Sequence, residues 1–543
     1  MRLTAPLVAA AFWFAPLAAV VAQQPASMPA EAATGPKPGA RARADTKPAD
    51  PKAGDAKATT DAKPAAEPKL SVTEHEATLG GKRIKYKATA GTYPLKDEAG
   101  KTKADVFFVA YEKTPSPASA DEMAARPLTF VFNGGPGAAS VWLHLGTAGP
   151  KRVKLTDLGE APPPPYRLVD NDSSWLDATD LVFIDPVGTG YSRPAPGEDP
   201  KQFYGVEEDL RWVSEFIRLY TTRNLRWPSP KFLAGESYGT TRAAALSEHL
   251  LENQGIAVNG VILISTVLDF ATLRSADNND LPYPLFLPTY TAIAHYHKRL
   301  KPDLQKQEFS KTLKEAETFA LGGYAAALAK GDSLPGDAKE QVAAEVARLT
   351  GLEPAAVLKS NLRVDAELFR KLVLDVPGKA GGTVVGRYDG RLTGYDPDPL
   401  GRDPDHDPSF NQFFALYGAT FNDYARRTLK YETDVPYDVL TGRVQPWNFG
   451  NRGNSGYLTV ADNLGRAMRK SPHTKLLVCA GLYDLATPYL AAGYTLRHLK
   501  ISPELQKNVT ETFYPGGHML YHEAGALKQL KADVAAFIAA STK

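Results

Sequence analysis

The sequence is poor in cysteine, because Cys479 is the only cysteine among its 543 residues. No disulfide can form within the chain, so the fold has to be stabilised by the burial of apolar side chains. Extracellular proteins of eukaryotes commonly carry disulfides. Their absence therefore favours a bacterial protein that is periplasmic or secreted.

An excess of charge of either sign is also missing. Lysine and arginine number 63 and aspartate and glutamate number 61, which leaves a formal net charge of +2. A protein that holds nucleic acid or an anionic membrane surface needs a broad basic field. We therefore expect no nucleic acid among the partners of the chain, and no membrane beyond the one crossed during export.

Motifs for metal ions and cofactors are lacking as well. No cluster of cysteine and histidine has the spacing of a zinc site, and nothing indicates a bound cofactor. The acid-rich loop from Asp396 to Asp407 lacks the terminal glutamate of a calcium-binding loop. We interpret this loop as a solvated surface, and we expect neither a metal nor a cofactor.

The first 22 residues have the order of segments found in a secretory signal peptide. Arg2 supplies the positive charge, an apolar run extends from Leu3 to Val21, and Ala22 is the small residue expected at a cleavage site. The run is nearly long enough to span a bilayer, so a retained membrane anchor is the alternative. Two prolines interrupt the run, which favours cleavage and a periplasmic or secreted mature protein.

Composition and periodicity divide the rest of the chain into four segments. Residues 23–70 are rich in alanine, proline and lysine with almost no large apolar side chain, which predicts a disordered linker. Residues 71–272 and 435–543 alternate short apolar runs with helical periodicity, and we interpret them as two parts of one core. Residues 273–434 lose the strand rhythm, which predicts a mainly helical cap inserted into that core.

The apolar runs of the core predict an α/β fold with a mostly parallel central sheet. The runs at 128–132, 181–184, 232–234 and 261–264 are continuous rather than alternating, as in strands that helices cover on both faces. Alternating segments before residue 111 predict antiparallel strands at the start of the sheet.

The segment Gly235-Glu236-Ser237-Tyr238-Gly239 has the pattern G-x-S-x-G between a predicted strand and a predicted helix. This is the context of a nucleophile elbow, in which a tight turn presents a serine at the edge of the sheet. Glycines on both sides of the serine tolerate such a turn. We therefore interpret Ser237 as the nucleophile of an α/β-hydrolase.

A serine nucleophile needs a base and an acid that orients the base. In an α/β-hydrolase these follow the serine in the order Asp or Glu, then His. Asp484 and His518 each directly follow a predicted strand near the C-terminus. We predict that Ser237, Asp484 and His518 form a catalytic triad, and that His522, at the start of the last helix, is a weaker candidate for the base.

Two main-chain amides must also stabilise the oxyanion that forms when the serine attacks. One belongs to the residue after the nucleophile, Tyr238, and the other to a glycine-rich loop after an earlier strand. The segment Asn133-Gly134-Gly135-Pro136-Gly137 follows the predicted strand at 128–132. We predict Gly135 and Tyr238 as the two donors; an ordinary Gly-Pro turn is the alternative interpretation of the loop.

Taken together, these segments resemble the serine carboxypeptidase family. The resemblance is carried by the loop that begins at Asn133, the segment Asp185-Pro186-Val187-Gly188-Thr189-Gly190-Tyr191-Ser192, the elbow around Ser237, the Asp484 segment and Gly517-His518-Met519. The segments occur in the order of the family, from residue 128 to the C-terminus. Because the family's disulfides are absent, we expect a bacterial branch of it.

The resemblance implies a serine carboxypeptidase that releases C-terminal residues from peptides through an acyl-serine intermediate. It also implies that Asn133, Gly134 and Glu236 bind the terminal carboxylate of the peptide and that Met519 borders the pocket of the leaving residue. Glu236 has to be protonated for this role, because a neutral carboxyl donates a hydrogen bond where an ionised one repels the substrate. We therefore expect an acidic pH optimum and peptides with a free C-terminus as partners.

The sequence departs from the family at two positions near this site. Val131 replaces the family's tryptophan, and Thr147 stands where the family has a second glutamate. The predicted triad is unaffected, but the set of residues that recognises the carboxylate is incomplete. An esterase or acyltransferase with the same triad is therefore the alternative function, and a non-catalytic binding protein on the same fold is a further one.

Overall fold

The computed structural model describes residues 69–115, 119–375, 381–450 and 456–542. The predicted signal peptide (1–22) lies outside these residues, as does the predicted linker (23–70) except for its last two residues. The first strand begins at Leu70, one residue before the predicted start of the core. No helix within the described ranges is long and apolar enough to cross a bilayer.

Strands and helices alternate in the middle and in the C-terminal part of the chain, and helices dominate between them. The strands of the described residues are β1 Leu70–Leu79, β2 Lys82–Lys96, β3 Thr102–Thr114, β4 Leu128–Phe132, β5 Lys151–Val153, β6 Leu168–Asp170, β7 Asp180–Ile184, β8 Arg193–Pro194, β9 Lys231–Ser237, β10 Gly260–Thr266, β11 Thr383–Val385, β12 Thr393–Tyr395, β13 Lys475–Gly481 and β14 Val509–Tyr514. The helices are α1 Ala120–Ala125, α2 Val141–Leu143, α3 Val206–Arg223, α4 Tyr238–Gln254, α5 Pro282–Tyr296, α6 Pro302–Gln305, α7 Phe309–Phe319, α8 Ala325–Ala329, α9 Gly336–Thr350, α10 Pro354–Lys359, α11 Ala366–Leu372, α12 Pro408–Arg427, α13 Ala461–Lys470, α14 Tyr489–Leu496, α15 Pro503–Gln506 and α16 Ala524–Ser541.

The central sheet is mixed, and its larger part is parallel. Its strands pair in the order β1-β2-β3-β7-β4-β9-β10-β13-β14, with β8 paired to β3. The strands β1, β2, β3 and β7 are antiparallel neighbours, whereas each pair from β7 to β14 is parallel. This arrangement confirms the predicted fold class, an α/β-hydrolase sheet preceded by antiparallel strands.

Helices cover both faces of the parallel strands, which explains the continuous apolar sequences of those strands. Every residue of β4, β7 and β10 is buried. One apolar cluster contains the buried sides of α3, α4 and α13, and a second contains those of α12 and α16. The catalytic candidates therefore lie at the edge of a sheet whose faces are filled.

The segment between β10 and β13 contains α5 to α13, and its helices α5 to α11 share an apolar cluster. The cluster includes Ile293 and Phe369 and continues to Leu485, in the loop after β13. The structure also adds a hairpin of β11 and β12, which are antiparallel and three residues long. Strands this short leave no alternation in the sequence, so only helices were predicted here. The boundaries 273 and 434 stay a prediction.

The prediction of a solvated surface for the acid-rich loop is wrong for Asp396. Its carboxylate is fully buried and lies 2.7 Å from Lys371 Nζ. It also accepts the main-chain amides of Asp398 and Asp405. The neutralising cation belongs to α11, which no local pattern around Asp396 indicates. In the part of the chain that the structure describes, no group of three or more His, Cys, Asp or Glu side chains is placed to hold a metal ion.

Candidate active site

Ser237 is the last residue of β9 and directly precedes α4. Its main chain has φ 59° and ψ −129°, a conformation that residues other than glycine rarely adopt. Its side chain is partly exposed, whereas every other residue of β9 is buried. The turn therefore presents the Ser237 hydroxyl at the carboxyl edge of the sheet.

Glycines on both sides of Ser237 allow this turn. A Cβ atom on Gly235 would collide with the main-chain oxygen of Gly239, and one on Gly239 would lie 2.8 Å from the main-chain oxygen of Phe132. Main-chain atoms cannot yield as a flexible side chain does, so only glycine fits at these positions. The G-x-S-x-G pattern thus reflects a strand, a turn and a helix in direct main-chain contact.

Asp484 and His518 lie on the loops that follow the neighbouring strands β13 and β14. His518 Nδ1 is 2.8 Å from Asp484 Oδ2, and both side chains are buried. The same carboxylate accepts the amides of Ala486 at 2.7 Å and Thr487 at 3.0 Å and the hydroxyl of Thr487 at 2.6 Å. These donors fix the carboxylate, which in turn can orient the imidazole.

His518 lies beside the strand that neighbours the serine. Ser265, near the end of β10, donates its hydroxyl to the main-chain oxygen of His518 at 2.6 Å. The next residue, Thr266, pairs with Ser237 in the parallel register of β9 and β10. The structure therefore brings Ser237, Asp484 and His518 to one edge of the sheet, although their catalytic roles stay a prediction.

The charges around His518 favour its protonated form. Burial lowers the pKa of His518, but the Asp484 carboxylate and its hydrogen bond raise it, and the resulting pKa is above the ordinary 6.5. Such an imidazole is suited to take a proton from a serine. For His522, burial lowers the pKa to about 3, and its Nε2 lies 2.8 Å from the hydroxyl of Tyr417. His522 is therefore poorly suited as the base.

Gly134 places the loop after β4 directly against the elbow. A Cβ atom on Gly134 would collide with the amide nitrogen of Tyr238 and lie 2.6 Å from that of Gly239. The amide of Gly135 donates to no described residue. Tyr238 is the first residue of α4, so its N–H has no acceptor within the helix. The two predicted oxyanion donors thus belong to segments in contact, and both are available.

Glu236 and Asn133 form a buried polar pair beside the serine. Their side chains are 3% and 2% exposed, and the Asn133 amide hydrogen-bonds the Glu236 carboxyl. Asn133 Oδ1 also accepts the main-chain amide of Leu143 at 3.0 Å. Burial raises the pKa of Glu236 to about 7, although His518 and the hydrogen bonds oppose the rise. Glu236 is therefore neutral in weakly acidic solution.

Met519, Val131 and Thr147 are buried as well. Met519 follows His518 and belongs to the same apolar cluster as Val131. Thr147 is also fully buried, and its hydroxyl has no hydrogen-bond partner within the described ranges. Neither of the two departures from the family therefore supplies a polar group to Glu236.

Sequence reasoning missed three polar residues of this site, Thr487, Tyr521 and Arg242. Thr487 could have been found, because a hydroxyl three residues after an aspartate typically closes a local turn with it. Tyr521 contacts Glu236, and Arg242 contacts the loop after β4. Both contacts join segments that are distant in the sequence, so no local pattern indicates them.

The described residues have the α/β-hydrolase fold, with Ser, Asp and His side chains at the carboxyl edge of the sheet. Residues 82–318 match the model of the serine carboxypeptidase family. Serine carboxypeptidase-like 44 of Arabidopsis thaliana is 31% identical over 180 residues, which are 32% of this chain and 33% of that protein. Pheromone-processing carboxypeptidase KEX1 of Saccharomyces cerevisiae is 35% identical over 166 residues, 27% of this chain and 20% of that protein. These matches confirm the resemblance to the serine carboxypeptidase family, and the chain spans a third or less of the length of these relatives.

A solved structure extends the similarity of the fold. The crystal structure of KEX1(delta)p, a prohormone-processing carboxypeptidase from Saccharomyces cerevisiae, has a TM-score of 0.53 to this chain at 16% identity. The match covers 83% of this chain and 91% of the other. It therefore extends beyond residue 318 and supports the same fold for most of the chain.

Proposed function

We propose that this chain is a serine carboxypeptidase, which hydrolyses the last peptide bond of substrates with a free C-terminus. The observation that carries the proposal is the 2.8 Å contact between His518 Nδ1 and Asp484 Oδ2, at the sheet edge where the elbow presents Ser237. Glu236, buried beside the serine with a raised pKa, supports selectivity for a free C-terminus.

Acylation begins when His518 accepts the proton of Ser237 as the serine Oγ attacks the carbonyl carbon of the last peptide bond. Asp484 stabilises the imidazolium that forms. The amides of Gly135 and Tyr238 donate to the oxyanion of the tetrahedral intermediate. When the intermediate collapses, the C–N bond breaks and His518 gives its proton to the leaving amino group.

Deacylation repeats these steps with water. His518 takes a proton from the water molecule, whose oxygen attacks the acyl carbon. The bond to Ser237 Oγ breaks, and the serine recovers its proton from His518. The products are one free amino acid and a peptide shortened by one residue.

Recognition of the terminal carboxylate is assigned to Asn133, Gly134 and Glu236, with Met519 at the border of the pocket of the leaving residue. A neutral Glu236 donates a hydrogen bond to the carboxylate, whereas an ionised one repels it. Because the pKa of Glu236 is about 7, peptide hydrolysis is expected to decline as the pH rises through neutrality.

The test compares a set of peptides in free-acid and C-terminally amidated form, incubated from acidic to mildly alkaline pH and followed by mass spectrometry. We expect stepwise loss of residues from free C-termini only, labelling of the wild-type protein by a fluorophosphonate, and neither result for S237A. D484N is expected to fold and to lose kcat by a factor on the order of 10⁴, since the imidazole loses its orienting charge. Equal cleavage of both peptide forms would contradict the proposal.

An esterase or acyltransferase is the second candidate, and the observation that favours it is Thr147, whose buried hydroxyl does not contact the carboxylate-binding pair. Turnover of simple esters without action on free-acid peptides would support it. Fluorophosphonate labelling separates both enzymes from a non-catalytic binding protein, which would leave Ser237 unmodified.

Export to the periplasm or the medium is proposed from residues 1–22 and from the lack of a second cysteine. Cell fractionation followed by N-terminal sequencing of the mature protein is the test. A mature chain that begins after Ala22 is expected. A membrane-bound chain that begins with Met1 would support the retained anchor.

A further inference from the structure

Tyr521 joins the loop of the predicted base to the residue before the predicted nucleophile. It lies in the turn Leu520–His522, shortly after His518, and its hydroxyl donates to Glu236 Oε2 at 2.6 Å. Both side chains are buried, with exposed fractions of 1% and 3%. The contact is therefore shielded from water. A hydrogen bond to a carboxyl is stronger in such a buried environment than in water.

The Tyr521 ring is buried and lies close to the main chain of the segment before Thr147. A Cβ atom on Gly146 would collide with Cε2 of this ring and would lie 2.8 Å from the hydroxyl of Tyr417. Tyr417 is itself held, since its hydroxyl is 2.8 Å from His522 Nε2. The ring of Tyr521 is therefore packed closely against the main chain at Gly146, with its hydroxyl on Glu236.

Residue 147 does not make the contact that Tyr521 makes. Thr147 directly follows Gly146, so its main chain runs past the same ring. Its hydroxyl is buried and has no partner in the described part of the chain. The polar group that reaches Glu236 from this side is therefore a phenol.

The single hydroxyl hydrogen of Tyr521 determines which oxygen of the Glu236 carboxyl can carry the acid proton. Tyr521 has one hydroxyl hydrogen, and it is donated to Oε2. When Glu236 is neutral, its proton is then carried by Oε1, the oxygen that Tyr521 does not engage. The acid proton thus has a defined position, on the oxygen opposite Tyr521.

Building on the proposed function, we propose that Tyr521 determines how this enzyme recognises a free C-terminus, by holding Glu236 Oε2 so that Oε1 presents its proton to the α-carboxylate of the substrate. The ligand class is an α-carboxylate of a peptide or amino acid. Tyr521 is a positioning residue, because it contacts Glu236 and not the substrate.

The hydroxyl also influences the pH range of recognition. The titratable groups that face Glu236 are His518, Asp484, Tyr521 and Tyr417. Burial raises the pKa of Glu236 to about 7, and the hydrogen bond from Tyr521 acts in the opposite direction because it stabilises the ionised carboxylate. Removal of the hydroxyl therefore raises the pKa of Glu236 further, and the neutral form persists to higher pH.

The decisive variant is Y521F, compared with wild type by KM for an N-acyl dipeptide with a free carboxylate, from pH 4.5 to 9. In the wild type KM is expected to rise above about pH 7, as Glu236 ionises. In Y521F this rise is expected to move upward by about one pH unit, the size of one lost hydrogen bond to a charged group. At pH 5, KM is expected to increase roughly 3–10-fold, because Oε2 is no longer held.

Y417F is the matched control, because it removes a buried hydroxyl that bonds His522 and leaves the Tyr521–Glu236 contact in place. Its KM inflection is expected to coincide with that of wild type. A second control substrate is the methyl ester of an N-acyl amino acid. It has no α-carboxylate, so the pH dependence of its KM is expected to be the same for wild type and Y521F.

Binding supplies a measurement that is independent of turnover. Calorimetric Kd values of the dipeptide are measured with S237A and with the S237A/Y521F double variant over the same pH range. The same upward displacement of the inflection is expected. An inflection that is unchanged or lower in both assays overturns the inference alone, whereas wild-type enzyme that cleaves amidated and free peptides equally overturns it together with the proposed function.

Discussion

The guanidinium of Arg242 donates from Nη1 to the main-chain oxygen of Asn133 at 2.6 Å, which joins α4 to the loop after β4. Its Nε donates to Asp209 Oδ2, on α3, also at 2.6 Å, and the side chain is buried. The helix that begins after Ser237 and the loop that contains Gly135 are therefore held together by one side chain.

We expect R242M to lower kcat by roughly 10–100-fold with little change in KM, because a displaced Gly135 amide stabilises the oxyanion less well. R242K should recover part of the loss, since an ammonium group reaches one of the two acceptors. Steady-state kinetics on a simple ester measures both effects without involving carboxylate recognition.

D209N is the control for Arg242, because it weakens the ion pair and leaves the contact with Asn133 in place. It should lower the thermal midpoint and reduce kcat less than R242M does. Losses of kcat that simply follow the losses of stability in both variants would contradict a positioning role.

G134A should lower kcat on the order of 10²–10³-fold while the protein remains folded, the size expected when an oxyanion donor is displaced. The added Cβ would collide with the amide nitrogen of Tyr238, and a main-chain atom in a helix cannot yield. The rate of fluorophosphonate labelling and the circular dichroism spectrum are the measurements. G322A is the matched control, since a Cβ there meets no atom within 4 Å, and normal labelling of G134A would exclude the predicted geometry.

Two buried carboxyls should make the protein less stable as the pH rises from about 4 to about 7. Burial raises the pKa of Glu236 and of Asp185 to about 7, so the native state holds protons that the unfolded chain has released. Each group is expected to cost on the order of 3–4 kcal/mol of unfolding free energy above its folded pKa. Urea unfolding of wild type, E236Q and D185N at several pH values measures the effect.

The unfolding free energy of each variant should increase relative to that of the wild type as the pH rises through this window. Above the window the difference should become constant. A difference that is independent of pH would show that the carboxyl is ionised in the folded protein at all these values.

K371M should destabilise the segment between β10 and β13 by about 3–5 kcal/mol, because it leaves the buried Asp396 carboxylate without its cation. Lys371 and Asp396 are 4% and 0% exposed, and their charged atoms are 2.7 Å apart. Chemical denaturation and limited proteolysis measure the change. K314M, which removes a cation that is 77% exposed, is the matched control and should leave the unfolding midpoint nearly unchanged.

The features that could be predicted from the sequence are those marked by a periodic pattern or by a short local motif. Continuous apolar runs predicted the parallel strands, because a strand buried on both faces has no polar side. The G-x-S-x-G pattern predicted the turn at Ser237, because two main-chain collisions would exclude any other residue at Gly235 and Gly239. The order of Asp484 and His518 after strands placed both at one edge, since parallel strands end on the same side.

Contacts between distant segments could not be predicted in the same way. The cation for Asp396, the hydroxyl on Glu236 and the guanidinium on the loop after β4 each depend on how separate segments pack. From sequence alone, a buried polar residue cannot be distinguished from a surface residue unless its partner is known. For this reason the acid-rich loop was misinterpreted at Asp396. Three-residue strands such as β11 and β12 are too short to leave a periodic pattern.

Residues 386–391 form three main-chain hydrogen bonds with the loops after β13 and β14. Leu485 donates to Arg387, Gly390 to Tyr483, and His518 to Tyr388, at 3.0, 2.9 and 2.5 Å. The segment between β10 and β13 thus holds the two loops that carry Asp484 and His518. A chain with a different segment here would have to replace those three hydrogen bonds, so changes in residues 386–391 and in the positions of Asp484 and His518 are coupled.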